Sequence, residues 1–329
     1  MALKLYYDQD TDPGLIRARR AAVLGFGAQG RAQAQNLRDS GVAVTVGLRP
    51  DSISRAAAEA AGLSVMEPGA AVAQADLVVM LVPDEMQPRV YADWVAPNLR
   101  QQAALVFAHG FNIHYRSILP RADLDVVMVS PNGIGEQVRA QYLAGHGVPG
   151  LVAVHQNVSG IARDLAFSYA WAQGHGRAGI VESTFREETE TDLFAEQAVL
   201  CGGLTHLIEA GFETLTKAGY APEIAYFCCL HEVKLIADMI YQRGIAGMRE
   251  SISATAEFGD YTRGPRVIGP EARAAMQALL GEIQRGEFAA ELKQEIAAGK
   301  PVIQAGRTRA RQSLIEKVGA ALRAHMKRG

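Results

Sequence analysis

Three cysteines are all that this 329-residue chain contains, Cys201, Cys228 and Cys229, and none of them forms a C-x-x-C pair. So few thiols give no disulfide framework, and a reducing cytoplasm is the compartment they suit. No apolar run approaches the roughly 18 residues of a membrane span. The opening Met1-Ala2-Leu3-Lys4-Leu5-Tyr6-Tyr7-Asp8 lacks the long apolar region of a signal peptide. Charge of one sign is also missing: 33 basic and 35 acidic residues, net −2, are spread without long blocks. Nucleic acid and anionic membrane are therefore poor partners for it. There is no short-period repeat and no low-complexity linker. What is present is ordinary for a globular protein, with 49% apolar and 21% charged residues over a length that suits two domains.

The first half alternates short apolar runs (21–24, 43–46, 77–82, 104–108, 126–129 and 151–154) with helix-like stretches, most of them separated by Gly- or Pro-containing turns. Strands alternating with helices imply a parallel, doubly wound sheet. After about Glu182 the strand-like runs stop and long segments of helical periodicity take over, at 190–210, 222–243 and 270–298. The expected organisation is an α/β domain over 1–182 followed by an all-α domain over 183–329.

Val23-Leu24 runs into Gly25-Phe26-Gly27-Ala28-Gln29-Gly30, a G-x-G-x-x-G placed between the first strand and its helix. Gly25 allows the tight turn, Gly27 lets backbone approach a pyrophosphate, and Gly30 allows helix and strand to pack closely. The helix N-terminus then faces the phosphates. An acidic residue usually ends the second strand where NAD is preferred; here Arg49 holds that place, with Ser52 and Ser54 just beyond. These donors suit a 2′-phosphate, so NADPH is expected, with NADH the alternative because Asp51 would repel a phosphate. Ser52 could also cap the next helix.

Ligands of such sheets sit outside the carboxyl ends of the strands. His109, after the run 104–108, and Ser130-Pro131-Asn132-Gly133-Ile134-Gly135-Glu136, after 126–129, should therefore border the nicotinamide. A histidine there could relay a proton to a carbonyl oxygen as hydride arrives at carbon, or could merely hold its turn. His114, His155, His175, His206 and His231 have no such placement and are expected to be structural.

Asp192 and Glu196 are four apart in helical sequence, as are Cys228 and Glu232, so each pair shares a helix face. Carboxylates converging from two helices can hold a hard cation such as Mg²⁺. The fourth corner, Cys228, is a thiol. It could fill apolar space, or the set could take a softer ion such as Zn²⁺.

The residues 25–30, Val46-Gly47-Leu48-Arg49, Pro83-Asp84-Glu85, 108–114, 187–192, 196–203, 225–232 and Ser251-Ile252-Ser253 together resemble ketol-acid reductoisomerase, in its short form with one helical domain. The resemblance runs from about Tyr7 to about Val318. It implies a Rossmann-type sheet and a C-terminal helical domain, knotted and interlocked with a second copy, so that active sites are shared within a homodimer. It implies NADPH, two Mg²⁺ ions, and an activity that shifts an alkyl group in a 2-hydroxy-3-keto acid such as 2-acetolactate. The resulting 2-keto acid is then reduced, in branched-chain amino-acid synthesis. By position, Asp192 resembles the carboxylate bridging both metals and Glu196 a ligand of one. Glu232 resembles a ligand of the other metal or an acid behind its ligands. Ser253 resembles the contact to substrate carboxylate, and His109 the proton-relay histidine. Pro83, Asp84 and Gly135 fall in the cofactor-binding stretches.

Two departures lie in the site. The family's Phe-Glu-Cys-Leu-His-Glu reads Phe227-Cys228-Cys229-Leu230-His231-Glu232, and its Pro-Lys-Gly-Pro-Gly-His reads Pro131-Asn132-Gly133-Ile134-Gly135-Glu136. A metal-ligand glutamate has become Cys228 and the active-site lysine Asn132; Gln156-Asn157 also stands where Gln-Asp is usual. A thiol is a poor Mg²⁺ ligand, so fewer than two ions are expected. Alkyl migration needs strong polarisation of hydroxyl and ketone together, whereas hydride transfer needs mainly orientation of the nicotinamide. The expected function is an NAD(P)H-dependent oxidoreductase in specialised metabolism, acting on a small carbonyl, imine or alcohol with the isomerase step lost. An authentic reductoisomerase and a catalytically silent dinucleotide-binding protein are the alternatives.

Overall fold

The computed structural model of the chain describes residues 3–326, so the first two residues of the stretch read for a leader lie outside it. Two compact units emerge, one ending at Thr191 and one beginning at Asp192.

The first unit is built on nine strands: β1 Leu5–Tyr6, β2 Arg20–Leu24, β3 Ala43–Gly47, β4 Ser64–Met66, β5 Leu77–Met80, β6 Ala104–Phe107, β7 Asp125–Pro131, β8 Gly150–Gln156 and β9 Ile180–Glu182. Their order is β1-β9-β8-β7-β6-β5-β2-β3-β4. From β4 to β7 every neighbour is parallel. The order reverses between β2 and β5, which opens a crevice at their carboxyl ends. Side chains alternate across this sheet into two cores. Ala21, Val23, Leu77 and Val79 join one, and Ala22, Leu24, Val78 and Met80 the other. Burial on both faces is why the strands read as continuous apolar runs.

The far edge departs from the all-parallel expectation, because β8 runs antiparallel to β7, with Pro131 opposite Gly150. The connection leaves and re-enters at the same end of the sheet. Its helix, Gly135–Leu143, packs on the fingerprint helix Ala28–Asp39 instead of crossing over. The strands β1, β4 and β9 have two or three residues each, too few to form a run that sequence periodicity would reveal.

His175 sits fully buried in this unit, its Nδ1 2.8 Å from Val148 O and its Nε2 without a partner among the described residues. Burial holds its imidazole down to about 4. The unfolded chain takes up this proton near pH 6.5 and the folded chain does not until about 4. Stability is therefore unaffected above 6.5 and falls as pH drops through that window, by about 3 kcal/mol. Urea unfolding at pH 7, 5.5 and 4 should show this slope flattened in His175→Asn, which keeps a donor for Val148; equal slopes would contradict it.

Among its described residues the second unit contains helices only. The helically periodic segment 270–298 forms two helices, Pro270–Gln284 and Glu287–Ala297, separated at Gly286, which adopts φ 76. The helix Glu232–Ser251 is likewise interrupted at Gly244 (φ 71). The core of this unit is small, built on Phe212, Ala225, Tyr226 and Ile315. Meanwhile Leu235, Ile236, Ile240, Tyr241 and Ile245 stand exposed along one helix. No described helix is long and apolar enough to cross a membrane.

Candidate functional site

The fingerprint glycines have the steric roles that their spacing assigns. Gly25 adopts φ 103, and a Cβ there would lie 2.6 Å from Leu81 O. A Cβ on Gly30 would collide with the carbonyl of Gly25, while Gly27 has open space around it and forms the N-cap of helix Ala28–Asp39. Phe26 is buried in the core, so only its backbone can face a ligand. Gln29 donates from Nε2 to Gly133 O at 2.9 Å and ties the fingerprint to the turn after β7. In that turn a Cβ on Gly135 would strike the carbonyl of Ala28. Gly135→Ala should therefore push the two loops apart, cost about 1–3 kcal/mol by overpacking, and weaken dinucleotide binding. A calorimetric titration with an unchanged dissociation constant and an unchanged melting temperature would contradict this.

Beyond β3, Arg49 and Asp51 approach at 3.7 Å and both are well exposed. Such a pair is worth little in solvent, so the guanidinium can turn to a phosphate. Ser54, rather than Ser52, holds the N-cap position of helix Arg55–Ala60, which corrects the alternative reading of Ser52. The Ser52 hydroxyl accepts from Ser54 N at 3.4 Å. Pro83 and Asp84 follow β5 at the edge of the crevice. The Asp84 carboxylate accepts from Gln87 Nε2 at 3.0 Å, which gives it a part in holding the loop.

After β6, His109 is one-fifth exposed and its Nδ1 lies 2.9 Å from Oε1 of Glu188, which is 2% exposed. Ser130 Oγ donates to the same oxygen at 2.8 Å, and Gly110 N donates to Oε2 at 2.8 Å. A side chain on Gly110 would collide with Thr189, so glycine is what lets the helix Phe185–Ala195 come this close. Sequence reasoning passed over Glu188. The signal was there, since Glu188 precedes Asp192 by one turn of the same helix. A buried carboxylate held by Ser130 and Gly110 fixes the orientation of the His109 ring. Asn132 is exposed, and its backbone N–H donates to Pro149 O at 2.9 Å. Asn157 does structural work, accepting from Ala162 N at 3.1 Å.

In the helical unit, both segments expected to carry metal ligands contain a π-helical turn. Glu196 opens one, Glu196–Leu200, and Cys228 lies in the other, Phe227–His231, with Glu232 following it. Such single-turn π insertions are frequent at functional sites. Gly202 and Gly203 accommodate the first, since side chains there would strike the carbonyls of Gln197 and Ala198. Asp192, Glu196 and Glu232 are exposed. Cys228 is exposed too, against the expectation that it fills apolar space; Cys229 is the thiol that packs beside Phe212 and Tyr226. Among the described residues, no three of Asp192, Glu196, Cys228 and Glu232 gather within one chain. Ser253 accepts from Ala256 N at 3.2 Å as the N-cap of helix Ala254–Val267.

Comparison with known proteins follows the same division. The family model of the acetohydroxy acid isomeroreductase NADPH-binding domain matches residues 15–179, and that of the ketol-acid reductoisomerase C-terminal domain matches 185–328. An NADH-preferring ketol-acid reductoisomerase from an uncultured archean superposes with a TM-score of 0.96 at 44% identity, over 99% of this chain and 100% of that one. A semialdehyde dehydrogenase NAD-binding protein from Cupriavidus necator (TM-score 0.61, 18% identity, 81% of this chain and 99% of that) is similar in fold alone. So is a pyrroline carboxylate reductase from Plasmodium falciparum (0.51, 15%, 82% and 98%).

Proposed function

The chain belongs to the ketol-acid reductoisomerase family, and on that premise we propose an NAD(P)H-dependent reductase of small carbonyl compounds whose isomerase step is suppressed. One contrast carries this reading. The dinucleotide loop and the His109–Glu188–Ser130 cluster are complete, while positions 132 and 228 hold an amide and a thiol.

A nicotinamide cofactor would supply the hydride. Gly25, Gly27, Gly30 and the N-terminus of helix Ala28–Asp39 suit its pyrophosphate. Arg49, Ser52 and Ser54 favour NADPH, and Asp51 weakens that preference; NADH is the alternative, as in the archaeal relative's description. His109 gives a proton to the substrate oxygen as the carbon is reduced, and Glu188 steadies its charge. Ser253 and its helix N-terminus suit a substrate carboxylate.

Asp192, Glu196 and Glu232 offer hard oxygens that suit Mg²⁺, and Cys228 offers a donor that does not; this set fits fewer than two Mg²⁺ ions. Without the lysine, Asn132 also leaves the substrate oxygen short of a fixed positive donor. The loss of one such donor costs on the order of 2.7–4 kcal/mol of transition-state stabilisation. An authentic reductoisomerase is the second reading, favoured by 44% identity along essentially the whole chain.

We assign residues 1–182 to the dinucleotide and 183–329 to substrate and assembly. The exposed apolar stripe of helix Glu232–Ser251 supports a homodimer with interlocked helical units that share sites. Three unpaired cysteines suit the cytoplasm. Calorimetry with NADPH and NADH, followed by a panel of 2-keto acids, tests the reading. Saturable cofactor binding and substrate-dependent oxidation are expected; absence of cofactor binding would leave a silent protein.

A further inference from the structure

The first unit carries a second concavity. A cleft of about 600 Å³ opens between the turn after helix Phe111–His114, the last residues of β8 and the start of helix Phe185–Ala195. Its β8 residues pair with the amino-terminal half of β7, Gln156 opposite Val126, whereas Asn132 follows the other end of that strand. The cleft is thus not the dinucleotide crevice of β2 and β5.

Its lining combines an aliphatic and aromatic wall, Ile113, Ile118, Leu119, Val154 and Phe185, with two guanidinium groups, those of Arg116 and Arg186. Among the described residues neither guanidinium forms a hydrogen bond or an ion pair. The imidazoles in the lining add no competing charge. Burial holds both His114 and His155 below the ordinary imidazole range, and Nε2 of His114 lies 3.3 Å from the Glu190 carboxylate.

Arg116 occupies a costly position. Its φ is 54, and its N–H donates to Ile113 O where the short helix ends. That is the left-handed residue after a helix, a place where glycine is favoured and a side chain is strained. The sequence thus keeps a cation at the cleft against the local backbone preference, a pattern that accompanies functional sites.

We propose that this cleft binds a small aliphatic carboxylate. Planar guanidinium groups pair with carboxylate or phosphate oxygens two at a time. The apolar wall favours the first, with a branched hydrocarbon body, over a bare phosphate. The volume lies within the range of small-molecule sites and is larger than a two-carbon acid would fill.

Titration of 4-methylpentanoate into the full-length protein saturated with NADPH tests this. Saturable binding at about 1 mM or tighter is expected, with Arg186→Gln and Arg116→Gly each weakening it about tenfold or more. Arg116→Gly should at the same time keep or raise the melting temperature, because glycine suits φ 54, so its loss of binding cannot be attributed to misfolding. Absence of saturable binding, binding indifferent to both substitutions, equal binding of 4-methylpentanamide, or displacement by inorganic phosphate at equal affinity would each overturn the proposal.

Discussion

Cys228→Glu combined with Asn132→Lys is expected to raise the conversion of 2-acetolactate by about a hundredfold or more over the natural chain, at little change in dinucleotide affinity. The glutamate restores a hard oxygen donor where a thiol stands. The lysine restores a positive donor beside the reacting oxygen; one such donor is worth on the order of 10²–10³ in rate. Both substituted side chains are exposed within the chain, so neither change should disturb a core. The single variants should each recover far less than their combination, since groups that act together on one transition state are not additive. Steady-state rates of the four proteins, with folding checked by melting temperature, provide the comparison. A well-folded double variant that binds NADPH and gains nothing would contradict the reading that positions 132 and 228 suppress isomerisation.

Glu188→Gln is expected to lower the turnover number for carbonyl reduction by about 10²–10⁴-fold, the usual worth of general acid catalysis. The carboxylate accepts from Ser130 and Gly110 and faces Nδ1 of His109. An amide of the same size can accept at one atom only. It therefore leaves a buried donor facing a donor and removes the carboxylate that holds the ring in place. Folding stability should fall by about 1–3 kcal/mol, the cost of leaving buried donors unpaired. Cofactor affinity should change much less, because the fingerprint loop is untouched. Ser130→Ala, which removes one neutral hydrogen bond, should cost far less in turnover and shift the pH profile only slightly. Turnover in Glu188→Gln within a factor of about three of the natural chain would show that His109 does not depend on this carboxylate, since that range is below one kcal/mol.

The parallel heart of the sheet was legible in the sequence because burial on both faces leaves short apolar runs whose length and flanking turns mark them as strands. The fingerprint was legible because two of its glycines answer a collision, with Leu81 for Gly25 and with the carbonyl of Gly25 for Gly30, while Gly27 leaves open space at the helix N-terminus. The direction of β8 was not, because a helix in the connection reads the same whether the chain crosses over or returns to Gly150 beside Pro131. Glu188 was overlooked although its spacing to Asp192 matched the rule applied to Glu196; its partners, His109 and Ser130, come from strands 58–79 residues away and no local pattern links them. The π-helical turns at Glu196 and Cys228 were equally hidden, since Gly202 and Gly203 explain the first only once the preceding carbonyls are in place. The metal-ligand roles came from the family resemblance alone, since among the described residues no three of Asp192, Glu196, Cys228 and Glu232 come together.

The most direct measurement compares two substrates on one preparation. With NADPH and Mg²⁺ present, 2-acetolactate and its ready-made 2-keto isomer are each followed by cofactor oxidation. Suppressed isomerisation with retained reduction predicts rapid turnover of the keto acid and turnover of 2-acetolactate slower by about a hundredfold or more. Comparable rates on both substrates, with the 2-acetolactate reaction abolished by chelator, would contradict that reading and make the chain an authentic reductoisomerase.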